Sequence, residues 1–166
     1  VDGTFALSFD VDGGGTREES FDYVFLCLPF SLLRKVDLQI DLPTEKKLAI
    51  ANLGYGTNAK LILGQTSRFW RGQGLSGNYF TDLKVQSGWD SSRLQNTTEG
   101  SLTIYLGGQP GLDLGVGTPE EQAALNLPLL DQVLPQAAAS YNNRVARFQW
   151  PTYPWTLGSY ACYRPG

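Results

Sequence analysis

Residues 4–11 alternate apolar and polar positions, with Phe5, Leu7, Phe9 and Val11 in phase, and this period of two predicts a strand with one covered face. Asp12-Gly13-Gly14-Gly15 predicts a turn into a second strand. Every position from Tyr23 to Leu28 is apolar, the pattern of a strand buried on both faces, and Pro29 ends it. Residues 30–35 read as a short helical turn. Pro43-Thr44 opens a helix with residues 46–53 as its body. Residues 58–65, 77–82, 101–106 and 144–150 predict further strands, and residues 107–117 a glycine-rich loop. At Thr118-Pro119-Glu120-Glu121 the threonine caps a helix, the proline takes its first position and Glu121 completes a capping box. That helix is expected to run through Leu125, to kink or break at Pro128, and to continue over residues 129–139 with an interruption at Pro135. Strands and helices mix without regular βαβ alternation, so the expected class is α+β, a mixed β-sheet flanked by helices.

Composition sets limits on function. The 166 residues are 42% hydrophobic and 17% charged, globular material large enough for a real core. A net charge of −3 with scattered basic residues argues against a nucleic-acid surface. There is no histidine, which removes the Ser-His-Asp triad, the Cys-His pair and histidine metal sites from these residues. Cys27 and Cys162 stand far apart in sequence and make no metal spacing; Cys27, inside an apolar run, is expected in the core. No signal peptide or membrane-length apolar run is visible, which predicts a soluble, cytoplasmic protein with no membrane partner. The chain starts at Val1 without methionine and ends in Arg-Pro-Gly, so a piece of a longer protein is expected.

Several motifs lose their first reading on context. Gly72-Gln73-Gly74-Leu75-Ser76-Gly77 matches G-x-G-x-x-G, but a dinucleotide site needs a strand before it and a helix after it, and here a strand-like segment follows. Gly115-Val116-Gly117 precedes a helix, yet Glu120 and Glu121 fill the turn a phosphate would use. Asn96-Thr97-Thr98 fits a glycosylation sequon without a secretory context. Asp82, Asp90 and Asp113 have no pairing and read as turn residues. The aromatics Trp150, Tyr153, Trp155, Tyr160 and Tyr163 suit core packing or an interface, or a wall for an apolar or cationic ligand. Lys60 shares a strand face with Asn58 and Ile62, opposite Ala59, Leu61 and Leu63. It is either a lysine on a half-exposed strand or a cation facing a cavity.

Three segments carry a resemblance. They are the run Phe21 to Leu33 around Pro29; Leu42-Pro43, Lys46-Lys47, Ala49-Ile50, Leu53-Gly54-Tyr55-Gly56, Lys60 and Phe69-Trp70; and Trp150, Pro154-Trp155 and Gly158-Ser159-Tyr160. Together they resemble the flavin-containing amine oxidases: monoamine and polyamine oxidases, the histone-lysine demethylases of that fold, and L-amino-acid oxidases. The resemblance covers most of the chain and is weakest from Gly107 to Asn143.

The resemblance implies that Lys60 acts catalytically, holding a water against flavin N5 and assisting reoxidation by oxygen, and that it also contacts the cofactor. It implies that Tyr160 is one wall of the cage around the substrate amine. Ser159 would stand where monoamine oxidases carry the flavin-linking cysteine, so FAD would be held non-covalently. Asn78, Phe80 and Trp89 fall near positions lining the substrate cavity. Residues 1–49 correspond to a remnant of the FAD-binding lobe, 50–152 to the substrate-binding domain and 153–166 to the start of the return. The family's nucleotide fingerprint would lie upstream and its second cage tyrosine after Gly166. The function so implied is a fragment of an FAD-dependent amine or amino-acid oxidase, inactive alone, whose partners are a small amine or amino acid and O2. The alternatives are a non-catalytic binding module, or a flavin desaturase or protoporphyrinogen-type oxidase of the same superfamily. An amino-acid substrate would need an arginine for its carboxylate; Arg68, Arg71 and Arg93 are the candidates by proximity.

Overall fold

A computed structural model describes residues 3–163. Its centre is a five-stranded sheet in the order β5 (Tyr79–Phe80), β6 (Ser87–Asp90), β7 (Gly100–Leu106), β4 (Ala59–Gln65), β8 (Tyr141–Gln149). Two smaller pairs accompany it: β1 (Phe5–Asp10) with β2 (Thr16–Phe21), and β3 (Gly54–Tyr55) with β9 (Ala161–Cys162). Every pairing described is antiparallel. The class is α+β, sheets flanked by helices.

The period of two in β4 decides which face is covered. Ala59, Leu61 and Leu63 are fully buried, and Leu102, Ile104 and Leu106 of β7 lie on the same side. Over this face pack Trp70 from α3 (Phe69–Gly72), Leu114 after α4 (Gly108–Asp113), and Ala123, Leu127 and Leu130 of α5 (Pro119–Val133). Each buried leucine contributes roughly 1.5–3 kcal/mol. Lys60, Ile62 and Gly64 take the opposite face.

The α5 N-terminus has the expected capping box: Thr118 Oγ1 accepts from Glu121 N, and Glu121 Oε2 accepts from Thr118 N. The helix does not break at Pro128 but continues to Val133. Proline removes one donor; the buried side chains of Leu127 and Leu130, on either side of it, hold both halves against the sheet. Beyond Val133 the chain turns, so the helix expected over residues 129–139 is cut short.

Residues 107–117 are not simply a loop, since α4 lies within them. Carbonyls at its C-terminal end accept from distant side chains: Leu112 O from Gln149 Nε2 (3.1 Å), Asp113 O from Gln122 Nε2 (3.2 Å) and Leu114 O from Arg147 Nη1 (3.0 Å). The strand expected over residues 77–82 shrinks to β5, while β6 was not foreseen.

The N-terminal third departs most from its pattern. The β1–β2 hairpin forms with its turn at residues 12–15, but Phe5, Phe9 and Phe21 are exposed. Residues 23–28 form no strand; Tyr23 is 82% and Phe25 86% exposed, and Cys27 is an exposed thiol, not a core residue. An apolar run becomes a strand only where another strand accepts its hydrogen bonds, and none does among the described residues. After it, α1 (Phe30–Leu33) is tied to α2 (Thr44–Asn52) by Arg34, which donates to Ile50 O at 2.7 Å and Leu53 O at 2.5 Å.

Candidate functional site

The half-buried face of the sheet, opposite the helices, gathers several of the candidate residues. Register places Lys60 beside Tyr105 of β7 and Phe148 of β8, and Tyr105 beside Ser87 of β6. Phe80 of β5 pairs with Ser87 and completes a row across the sheet. Trp89 lies one step along β6, opposite Thr103. Lys60 Nζ stands over three rings: Trp150 at 5.2 Å, Trp89 at 5.3 Å and Tyr105 at 5.8 Å from the centroids. These rings brace one another and their neighbours. Trp89 and Tyr105 are tilted at 5.6 Å, and Phe148 meets Trp150 at 4.7 Å and Tyr153 at 4.9 Å.

A second element brings Ser159 and Tyr160 to the same place. Gly56 N donates to Tyr160 O and Ser159 N to Gly56 O, both at 2.8 Å, extending the β3–β9 pairing. Gly158 packs against Tyr55, where a Cβ would come within 2.5 Å of the Tyr55 Cβ. Tyr55 Oη in turn accepts from Phe30 N at 2.6 Å. The result is a concavity of about 250 Å³ lined by Pro29, Tyr105, Trp150, Ser159 and Tyr160 among others. Tyr160 is 70% exposed. Burial, then the neighbouring Tyr160 phenol, pushes the Tyr105 phenol up to about 12, against a smaller opposing pull from Ser159.

Tyr105 and Trp150 therefore link two groups of expected residues: Lys60 with Trp89 on the sheet, and Ser159 with Tyr160 in the concavity. Two other expected residues do not join them. Phe80 shares the sheet face but is 90% exposed at its edge, and Asn78 lies before β5 in a turn where its N–H donates to Ser76 Oγ. Tyr105 was not singled out beforehand. Its signal was present, because the alternation of residues 101–106 puts Thr103 and Tyr105 opposite Leu102, Ile104 and Leu106.

The arginine candidates belong to another part of the sheet, past the Gln65 end of β4. Arg68 is buried and donates to Gln95 O (2.7 Å), Glu99 O (3.1 Å) and Thr97 Oγ1 (3.1 Å), fixing the loop that holds the Asn96 sequon. Arg71 donates to Arg93 O and lies 3.6 Å from Asp90. Asp90 is thus a structural carboxylate, accepting from Ser92 N, Ser92 Oγ and Trp70 Nε1. Its burial alone would raise its pKa, but these bonds and the Arg71 charge hold it below the usual carboxylate value. Arg93 is exposed.

The family model described as "Flavin containing amine oxidoreductase" matches residues 4–166. The chain belongs to the flavin-containing amine oxidoreductase family. A Bacillus subtilis (strain 168) relative, "Putative L-amino-acid oxidase YobN", is 27% identical over 150 residues, 87% of this chain and 31% of the relative. An L-amino-acid oxidase of Vipera ammodytes ammodytes is 29% identical over 66 residues, 40% of this chain and 14% of its own length. Among solved structures, cyclohexylamine oxidase from Brevibacterium oxydans IH-35A has the same fold (TM-score 0.76, 23% identity, 88% of this chain and 32% of that one). Wild-type putrescine oxidase bound to putrescine matches with a TM-score of 0.73 and 25% identity, over 90% of this chain and 33% of that one. This flavin-containing amine oxidoreductase chain spans about a third of the length of such relatives. Among the described residues, no helix is long and apolar enough to cross a membrane.

Proposed function

We propose that the chain is the substrate-domain portion of an FAD-dependent oxidase that acts on the C–N bond of an amine or amino acid with O2 as acceptor. The observation that carries this reading is the position of Lys60: an ammonium held among rings on the half-buried face of the five-stranded sheet, two of which, Tyr105 and Trp150, line a concavity that presents Ser159 and Tyr160. Residues 1–49 would then belong with the cofactor lobe, 50–152 with the substrate domain and 153–166 with the return toward the cofactor.

The residues present suit a planar, electron-accepting ring system. Trp150, Tyr105 and Tyr160 offer flat faces, the Ser159–Tyr160 backbone is held against Gly56, and Lys60 adds a positive charge that pairs with no carboxylate among the described residues. FAD, when bound, supplies acceptance of a hydride from the C–N carbon and its passage to O2 as hydrogen peroxide, with an imine as the other product. Lys60 would hold a water at the cofactor edge and stabilise negative charge developing on oxygen. Tyr160 would flank the substrate amine with its ring face. Ser159 lacks the thiol for a thioether, so the cofactor would be bound non-covalently.

The test uses the full-length protein. Lys60→Met is expected to slow oxygen-dependent reoxidation, followed by stopped flow, about 10- to 100-fold, while anaerobic reduction by the amine changes by less than about threefold. Unchanged rates in both half-reactions would return Lys60 to being a surface lysine.

A further inference from the structure

Lys60 is half-buried, yet the ion pairs among the described residues involve Arg17, Lys47 and Arg71, not Lys60. A partly desolvated ammonium needs compensation. Here it comes from three ring faces at 5.2–5.8 Å, within the range at which a ring quadrupole attracts a cation. Each ring comes from a different element: Trp89 from β6, Tyr105 from β7, Trp150 from the 3-10 turn Trp150–Thr152. Ring faces differ from a carboxylate in one useful way. They restrain the cation without neutralising it and leave its N–H donors available to a water. Tyr105 and Trp150 also line the concavity; Trp89 and the Lys60 it faces lie behind these two rings rather than among the lining residues.

We propose that Trp89, Tyr105 and Trp150 form a three-ring seat fixing the Lys60 ammonium in place of a carboxylate partner, and that Trp89 is a positioning residue for Lys60, not a substrate contact. The seat stands on geometry alone; its kinetic consequence rests on the proposed role of Lys60. A loosened ammonium would hold its water less well, so removing Trp89 should weaken the step that Lys60 serves and no other.

The experiment combines two readouts on the flavin-loaded full-length protein. In the first, lysines are reductively dimethylated with 13C-formaldehyde, and the Lys60 signal is assigned by its loss in Lys60→Arg. Ring currents should displace that signal upfield of the exposed lysines. The displacement should be largely lost in Trp89→Leu and reduced in Trp89→Phe. In the second, reoxidation should slow roughly 3- to 10-fold in Trp89→Leu, as expected for losing one of three ring contacts, and recover in Trp89→Phe. Amine KM and flavin reduction should stay unchanged. A Lys60 signal at the exposed-lysine position, or one unmoved by Trp89→Leu, overturns the seat. A raised amine KM with unaltered reoxidation makes Trp89 a substrate contact and overturns its assignment. If Trp89→Leu does not fold, Trp89→Phe decides, since its smaller ring must reduce the displacement. A ring-current pattern as expected, together with unchanged half-reactions in Lys60→Met, leaves the seat standing and removes the proposed role of Lys60 in reoxidation.

Discussion

At the scale of single residues, environment separates groups that look alike in sequence. Lys60 and the exposed Lys46 are the same side chain, but only Lys60 projects from a strand between aromatic neighbours. Tyr79 and Tyr160 divide in the same way. Tyr79 is buried in β5, its phenol donating to Val85 O at 3.3 Å, and burial raises its pKa well above the ordinary 10.0. A raised folded-state pKa means that the neutral phenol is favoured by folding. The contribution is complete below pH 10 and is lost as pH climbs from 10 through the raised value. Urea midpoints should therefore fall above pH 10, and with a shallower slope in Tyr79→Phe. Near neutral pH that variant should lose about 1 kcal/mol, because the Val85 carbonyl loses its donor. An identical alkaline slope in both proteins would exclude Tyr79 as the source. At the acid end Asp90 works in the opposite direction. Its lowered pKa adds stability above the ordinary carboxylate value of 3.8, and this is lost as pH falls through the folded value.

Among the elements, β4 was the most legible because one side is covered by helices and the other is not, so period two translates directly into burial. The α5 cap was equally legible, since its three determinants are consecutive in the chain. β6 was not. Its four residues, Ser-Gly-Trp-Asp, have no strand pattern of their own, and they are extended because β7 and β5 accept their hydrogen bonds. Gly88 shows the constraint: a Cβ there would lie 2.1 Å from Thr103 O and 2.6 Å from the Tyr79 ring. Gly88→Ala should cost about 1–3 kcal/mol by forcing β6 off β7, read as a lower thermal midpoint. A midpoint unchanged from the parent would mean that the strands separate without penalty. Because Trp89 follows Gly88, the same variant should also disturb the Lys60 seat.

For the whole molecule, the uncovered surfaces matter as much as the core. The β1–β2 hairpin and residues 23–28 expose Phe5, Phe9, Phe21, Tyr23, Phe25 and Leu28, large apolar side chains concentrated within one short stretch of the chain. The isolated 166-residue chain should self-associate, and the double change Tyr23→Ser with Phe25→Ser should shift it toward monomer in analytical ultracentrifugation. A monomer before the change would show that this surface does not drive association. Added FAD should give no tight, stoichiometric flavin spectrum with the isolated chain, in keeping with a chain that spans about a third of its relatives' length. Tight binding would place most of the cofactor site within these residues.

By itself the sequence determined the elements whose signals are local: the hairpin turn at residues 12–15, the capped start of α5, the alternation of β4 and β7, and the exclusion of histidine-based chemistry. The family resemblance lay in three groups of short motifs spread along the chain, and the family match over residues 4–166 bears it out. Only tertiary structure decided the rest. It left residues 23–28 without a partner strand and made α4 a helix through the distant side chains of Gln122, Arg147 and Gln149. It turned Arg68 and Asp90 into scaffold, and it brought rings from residues 89, 105 and 150 around one ammonium. The physical reason is common to these cases. A hydrogen bond or a ring–cation contact between residues far apart in the chain exists only once strand register has placed them, and register is a property of the packed sheet.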